Sequence, residues 1–162
     1  MEQKDVFRME DKMAVDVNIA KKDPIKFEDW FNVKVYDKEG NLKEDVDHKS
    51  HNTMGTNGIA MIMDQLLLSP SYAKVTDMAF GLGSPSGTAL GNEALRVTFT
   101  SKTRSGNIVT MVATCTSITG TVTEAGLFNQ HTFGGDMMCS GACNHTLAPD
   151  DSLVITWHVT GS

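Results

Sequence analysis

The sequence predicts a mainly β protein: an antiparallel β-sandwich or jelly-roll-like domain with one short helix and an extended N-terminal arm. Three observations carry this. Apolar and polar residues alternate with period two in segments such as Phe31–Tyr36 and Leu153–Val159, the pattern of half-buried strands. Short clusters of Gly, Asn, Asp, Ser and Pro separate these segments, which is the punctuation of antiparallel sandwiches. One stretch alone, 56–68, has convincing helical spacing.

Charge divides the chain into two parts. Residues 1–50 hold 23 of the 34 Asp, Glu, Lys and Arg side chains. Residues 1–29 mix both signs without sustained periodicity. They read as an extended arm that buries too little apolar surface to offset the entropy of ordering it. Within that arm Val15, Val17 and Ile19 alternate and suit addition of a strand to a neighbour's sheet edge.

The β domain is expected over 30–162, starting near Trp30. A hairpin fills 30–52: Phe31–Tyr36 alternates, Gly40 suits a turn, and Leu42–Val46 reads as the return strand. In the 56–68 helix, Ile59, Ile62, Met63, Leu66 and Leu67 fall on one face, Thr56 or Asn57 supplies a cap, and Pro70 stops continuation. Such a stripe reads as a core face packing across the sheet or plugging one end of the sandwich. Residues 76–160 supply the remaining strands, at 78–82, 95–99, 108–116, 121–128, 136–143 and 152–160, with a turn at Ser105-Gly106-Asn107.

Composition narrows the function classes. A formal charge of −6 and only four basic residues after His51 disfavour nucleic-acid binding, which needs clustered Lys and Arg. No apolar run reaches the roughly 18–20 residues that span a bilayer, so no membrane partner is expected. The first residues lack the apolar stretch of a signal peptide, which fits synthesis in a cytoplasm. Three cysteines, Cys115, Cys139 and Cys143, make an odd count that requires no internal disulfide framework. They read as small buried hydrophobes, with inter-subunit disulfides as the alternative.

Candidate sites are few. Cys139, Cys143 and His145 have zinc-ligand chemistry, with His131 upstream, but residues four apart on a strand lie about 13 Å apart. Only a tight turn through Gly141 would bring them together. Gly81-Leu-Gly83-Ser-Pro-Ser-Gly87 lacks the helix that a dinucleotide loop opens and the Gly-Lys-Ser/Thr of a nucleotide loop. No nucleophile elbow is present, and Glu93 with Glu124 is the one carboxylate pair left open for hydrolysis. Glu124 sits between strand residues in a region that should be half buried, where a carboxylate needs partners; Arg96 is its candidate ion-pair partner, locking strands or a subunit contact, and an exposed edge carboxylate is the alternative.

Four stretches carry a resemblance. Thr123-Glu-Ala-Gly-Leu-Phe-Asn129 is followed by Gly134-Gly-Asp-Met-Met138 and by Asp151-Ser-Leu-Val-Ile-Thr-Trp157. A hairpin opens on Trp30 and runs through Asp37 and Gly40-Asn41-Leu42 to His51-Asn52. Together these resemble a broad group of tailed-bacteriophage virion structural proteins, over about residues 30–162. The resemblance implies a non-enzymatic virion component without a cofactor, favouring a capsid decoration or cement protein on the head surface. Its partners would be the major capsid protein and copies of itself, as a homotrimer. A tail collar, baseplate or fibre-base protein, partnered by tail proteins, is the second reading. A carbohydrate-binding or hydrolytic β-sandwich is the third; it would need exposed aromatics or a two-carboxylate cleft.

Overall fold

The computed structural model describes residues 26–49, 53–65, 71–86 and 88–161. Its elements in chain order are β1 (Phe27–Tyr36), β2 (Leu42–His48), β3 (Thr53–Met54), α1 (Thr56–Asp64), β4 (Asp77–Gly81), β5 (Glu93–Thr98), β6 (Ser101–Ser105), β7 (Ile108–Cys115), β8 (Gly120–Phe128), β9 (Met137–Leu147) and β10 (Ser152–Gly161). They form two antiparallel sheets of five strands, ordered β2-β1-β10-β7-β6 and β3-β9-β8-β4-β5. The fold is a β-sandwich, as the alternation and turn spacing predict.

The period-two pattern sets which side chains meet between the sheets. Phe31, Val33 and Val35 from β1 join Leu153, Ile155 and Trp157 from β10 in the core. Met78 and Phe80 of β4, and Val122, Ala125 and Leu127 of β8, meet them from the second sheet. Fully burying a Leu, Ile, Val, Phe or Met side chain contributes roughly 1.5–3 kcal/mol, so these strands dominate stability. Trp157 is fully buried and its indole Nε1–H donates to Asp29 Oδ2 at 3.0 Å. That bond satisfies the ring's one polar group.

Several elements differ from the sequence reading. β1 starts at Phe27, inside the span assigned to the arm, because its outermost residues pair with Thr160 and Gly161 of β10. Val15, Val17 and Ile19, and the His51-Asn52 dipeptide, lie outside the described residues. β6, Ser-Lys-Thr-Arg-Ser, carries no apolar residue and is exposed throughout, so alternation could not reveal it. It is an edge strand held by β7 alone, and the short link after β5 carries the chain from one sheet to the other.

The helix packs on a different face from the one its apolar spacing selects. Ile59 and Met63 are 53% and 58% exposed, whereas Gly58, Met61 and Ile62 turn towards the sheet. Leu66 and Leu67 lie outside the described residues. The reason is a close approach: a Cβ on Gly58 would overlap the backbone carbonyl of Met138. Helix and strand backbones therefore meet at the residue with no side chain, which a hydrophobicity count scores as neutral. The N-cap is Gly55, with no side-chain cap bond; Asn57 instead donates to Asp136 Oδ1 at 2.8 Å.

Candidate functional site

The outer face of the second sheet is covered by two loops, 82–92 and 129–136, and residues 123–129 hold both. The β-pleat explains the division of labour along this stretch. Ala125 and Leu127 point into the main core, while Gly126 and Phe128 face outward. Glu124 is fully buried beneath the first loop. Its Oε1 accepts the backbone N–H groups of Gly83 at 3.1 Å and Asn92 at 2.9 Å, and its Oε2 accepts that of Gly91 at 2.9 Å. Thr123 Oγ1 donates to the Gly83 carbonyl at 2.7 Å. A Cβ on Gly81 would collide with the Glu124 carboxylate. Gly81 and Gly83 thus serve close packing over a carboxylate, and Gly91 packs against the Ser84 backbone.

Phe128 joins Ala79, Leu90 and Met137 in a small second core on this face. Asn129 closes the second loop: its Oδ1 accepts the Asp136 N–H at 2.8 Å, and its own N–H donates to the Asp136 carbonyl at 3.2 Å. All seven residues from Thr123 to Asn129 are accounted for by core packing or by loop fastening.

Arg96 is buried, as its pairing role requires, but its partner is not Glu124. Its guanidinium forks onto Glu93, Nε to Oε1 at 2.7 Å and Nη2 to Oε2 at 2.6 Å. Nη1 donates to three carbonyls of the second loop, Gln130 and Thr132 at 2.8 Å and Gly134 at 2.6 Å. The guanidinium carbon lies 3.8 Å from the Phe128 ring centroid. The planar fork matches the carboxylate bidentately, and its remaining donors gather a loop that no strand pairing holds. Glu124 takes backbone amides instead because the loop of glycines reaches it first. Both carboxylates of the Glu93–Glu124 pair are thus engaged, Glu93 by one guanidinium and Glu124 by backbone amides.

Two polar nodes escaped the sequence reading. Asp77 is buried at the start of β4 and accepts Thr76 Oγ1 at 2.6 Å and Thr98 Oγ1 at 2.8 Å, with His131 Nδ1 at 2.7 Å. Burial pushes its carboxyl up, but the bonds from Thr76, His131 and Thr98 outweigh this and hold it below the usual range. The signal was an acid leading the apolar run Met78-Ala-Phe80. The second node staples the two sheets. His145 of β9 meets Glu44 Oε2 through Nδ1 at 2.6 Å and His48 Nε2 through Nε2 at 2.8 Å, both on β2. Burial, then the neighbouring His145, lowers the His48 pKa below its ordinary value.

The candidate zinc residues do not converge. Cys139 and Cys143 are buried free thiols on one continuous strand, with no tight turn at Gly141. His145 spends both ring nitrogens on Glu44 and His48. Among the described residues no group of three or more His, Cys, Asp or Glu is placed to hold a metal ion. Burial raises the Cys143 thiol to about 12, with the Glu124 charge adding to it. Cys139 is pushed well up by burial and by the Asp29 carboxylate.

Trp30 is half-buried on the outer face of the first sheet, stacked on His158 with ring centroids 4.0 Å apart. His158 in turn bonds Thr110 through Nδ1 at 3.0 Å. Phe133, 69% exposed, sits in the loop gathered by Arg96. These aromatics lie on different sheets and form no shared platform. Comparison with protein-family models, curated proteins and solved structures finds no match for this chain.

Proposed function

We propose that the chain is a non-enzymatic structural protein of a tailed-bacteriophage virion, acting as a capsid decoration or cement protein on the head. The observation that carries this reading is the stretch 123–129 with its companions at 134–138 and 151–157. These residues resemble the virion group, and each one with a described contact builds or fastens the sandwich. Asp151, for example, accepts the Ala148 N–H at 2.9 Å and pairs with Lys43 at 2.6 Å. Carboxylates, guanidinium and imidazoles are spent on loops and sheet junctions, which supports a rigid binding module over a reaction centre. The partners are the major capsid protein and further copies of the chain, as a homotrimer. On the particle, the segment before β1 reaches neighbouring subunits.

Quantitative mass spectrometry of purified virions separated into heads and tails tests the proposal. Copies that track the major capsid protein in the head fraction are expected. A few copies confined to tails would move the chain to a collar, baseplate or fibre base. Absence from both fractions would overturn the virion reading.

A further inference from the structure

Between the first sheet, at β1, β6, β7 and β10, and the cover formed by α1 and residues 73–75 lies an open cavity of about 760 Å³. Its walls are largely apolar: Met61 and Ile62 of α1 face Val109 and Met111 of β7, with Met138 behind them. That volume is in the range of pockets that bind organic groups. The rim has unusual charge for a chain of formal charge −6. Only four Lys and Arg residues follow His51: Lys74, Arg96, Lys102 and Arg104. Three of them, Lys74, Lys102 and Arg104, line this cavity, and no Asp or Glu does so among the described residues. The fourth is the buried Arg96. Lys102 is turned across the opening, donating to the Val75 carbonyl at 2.9 Å. The occupant such a site selects is apolar with acidic groups beside it.

The chain holds a segment of that chemistry a short way before Phe27 in the sequence. Phe27, the first residue of β1, lines the cavity, and residues 1–25 precede it in the sequence. Within them Met13-Ala-Val-Asp-Val-Asn-Ile19 alternates apolar and polar residues over most of its length, with Asp16 between two valines and Glu10-Asp11-Lys12 just before, a net charge of −2 over residues 10–19, while Lys21-Lys22 follow in the link. We infer that the cavity is the docking site of this segment of the same chain, with Val15, Val17 and Ile19 in the apolar floor and Asp16 against the Lys102–Arg104 rim. Residues 20–26 intervene, and at about 3.3 Å per residue they span roughly 23 Å, enough to double back to the mouth. Asp23-Pro24 in this link favours a turn. Tethering also gives the segment a high effective concentration, so modest contacts suffice. The inference rests on the cavity and not on the virion reading; where both hold, the docked segment is the arm's state before assembly.

The test uses the purified full chain without particles. Amide exchange at residues 15–19 and the methyl resonances of Met61, Met111 and Met78 are measured in the native chain, in Val17→Asp and in Lys102→Glu/Arg104→Glu. Both variants should speed exchange at 15–19 by about tenfold or more and shift Met61 and Met111. Met78, fully buried in the main core, should stay in place and report an intact fold. Adding Asp16→Lys to the rim variant should restore slow exchange. Free exchange at 15–19 in the native chain would overturn the inference, as would Met61 and Met111 resonances indifferent to Val17→Asp. Protection that rises with protein concentration would also overturn it, by assigning the segment to a second copy.

Discussion

Replacing Glu124 with Gln tests whether this carboxylate is the fastener of the outer face. The two side chains have nearly the same shape, so packing is conserved and the change is in hydrogen bonding. Three backbone donors converge on the carboxylate, two on Oε1 and one on Oε2. In the best orientation the amide carbonyl keeps Gly83 and Asn92, and the new NH₂ faces the Gly91 N–H. One buried donor then loses its acceptor and two donors abut. Leaving a buried donor unpaired costs about 1–3 kcal/mol, and hydrogen bonds to a charged group are worth about 1.5–3 kcal/mol. Glu124→Gln should therefore lose about 2–4 kcal/mol, a large fraction of the roughly 5–15 kcal/mol of a typical domain. At about 2–4 °C per kcal/mol for a chain of this size, the melting temperature should fall by roughly 5–15 °C. Urea unfolding followed by Trp fluorescence reads this as a lower midpoint at unchanged slope. A loss below about 0.5 kcal/mol, the scale of neutral surface changes, would refute the argument and show that the 82–92 loop is held by other contacts.

Three further predictions follow from the same geometry. Gly58→Ala should destabilise the chain by about 1–3 kcal/mol through overpacking, although Ala is the better helix former by about 1 kcal/mol; a urea midpoint raised by this change would contradict the close helix–strand approach. Arg96→Lys keeps the charge but loses the fork and the three loop carbonyls, so it should cost about 2–4 kcal/mol and speed amide exchange in 129–136 before it affects β10; uniform exchange would contradict the local role. Because His48 and His158 have lowered folded-state pKa values, the unfolded chain takes up protons first, and stability should fall as pH drops from about 6.5 through the folded values. His48→Leu should weaken that dependence as pH falls below about 6.5 while lowering stability at higher pH, and an unchanged pH slope in urea melts would count against the His48–His145 staple.

Period-two alternation located the strands that bury one face: β1, β7 and β10 are legible because their inner residues are large and apolar. It failed where packing needs no apolar side chain, as in β6, or where it needs none at all, as at Gly58. The importance of Glu124 was legible as a carboxylate among strand residues, since burial demands partners. Its partners were not, because backbone N–H groups from a loop 32 to 41 residues upstream leave no mark in composition. The Arg96 expectation was half right for the same reason: a buried guanidinium needs a carboxylate, and the bulge in β5 opposite Phe80 and Gly81 brings Glu93, three residues away on the same strand, to the same face. The His145 node required β2 and β9, from opposite sheets, to meet at one edge. Sequence spacing carries no information about that contact.

The most direct measurement of the proposed function is reconstitution. On the proposed virion role, heads of the phage that would encode the chain are prepared without it, incubated with the purified protein and followed by sedimentation and by their temperature of disruption. The account predicts saturable binding in fixed ratio to the major capsid protein and a raised disruption temperature. Failure to bind heads, with capture by isolated tails instead, would contradict it.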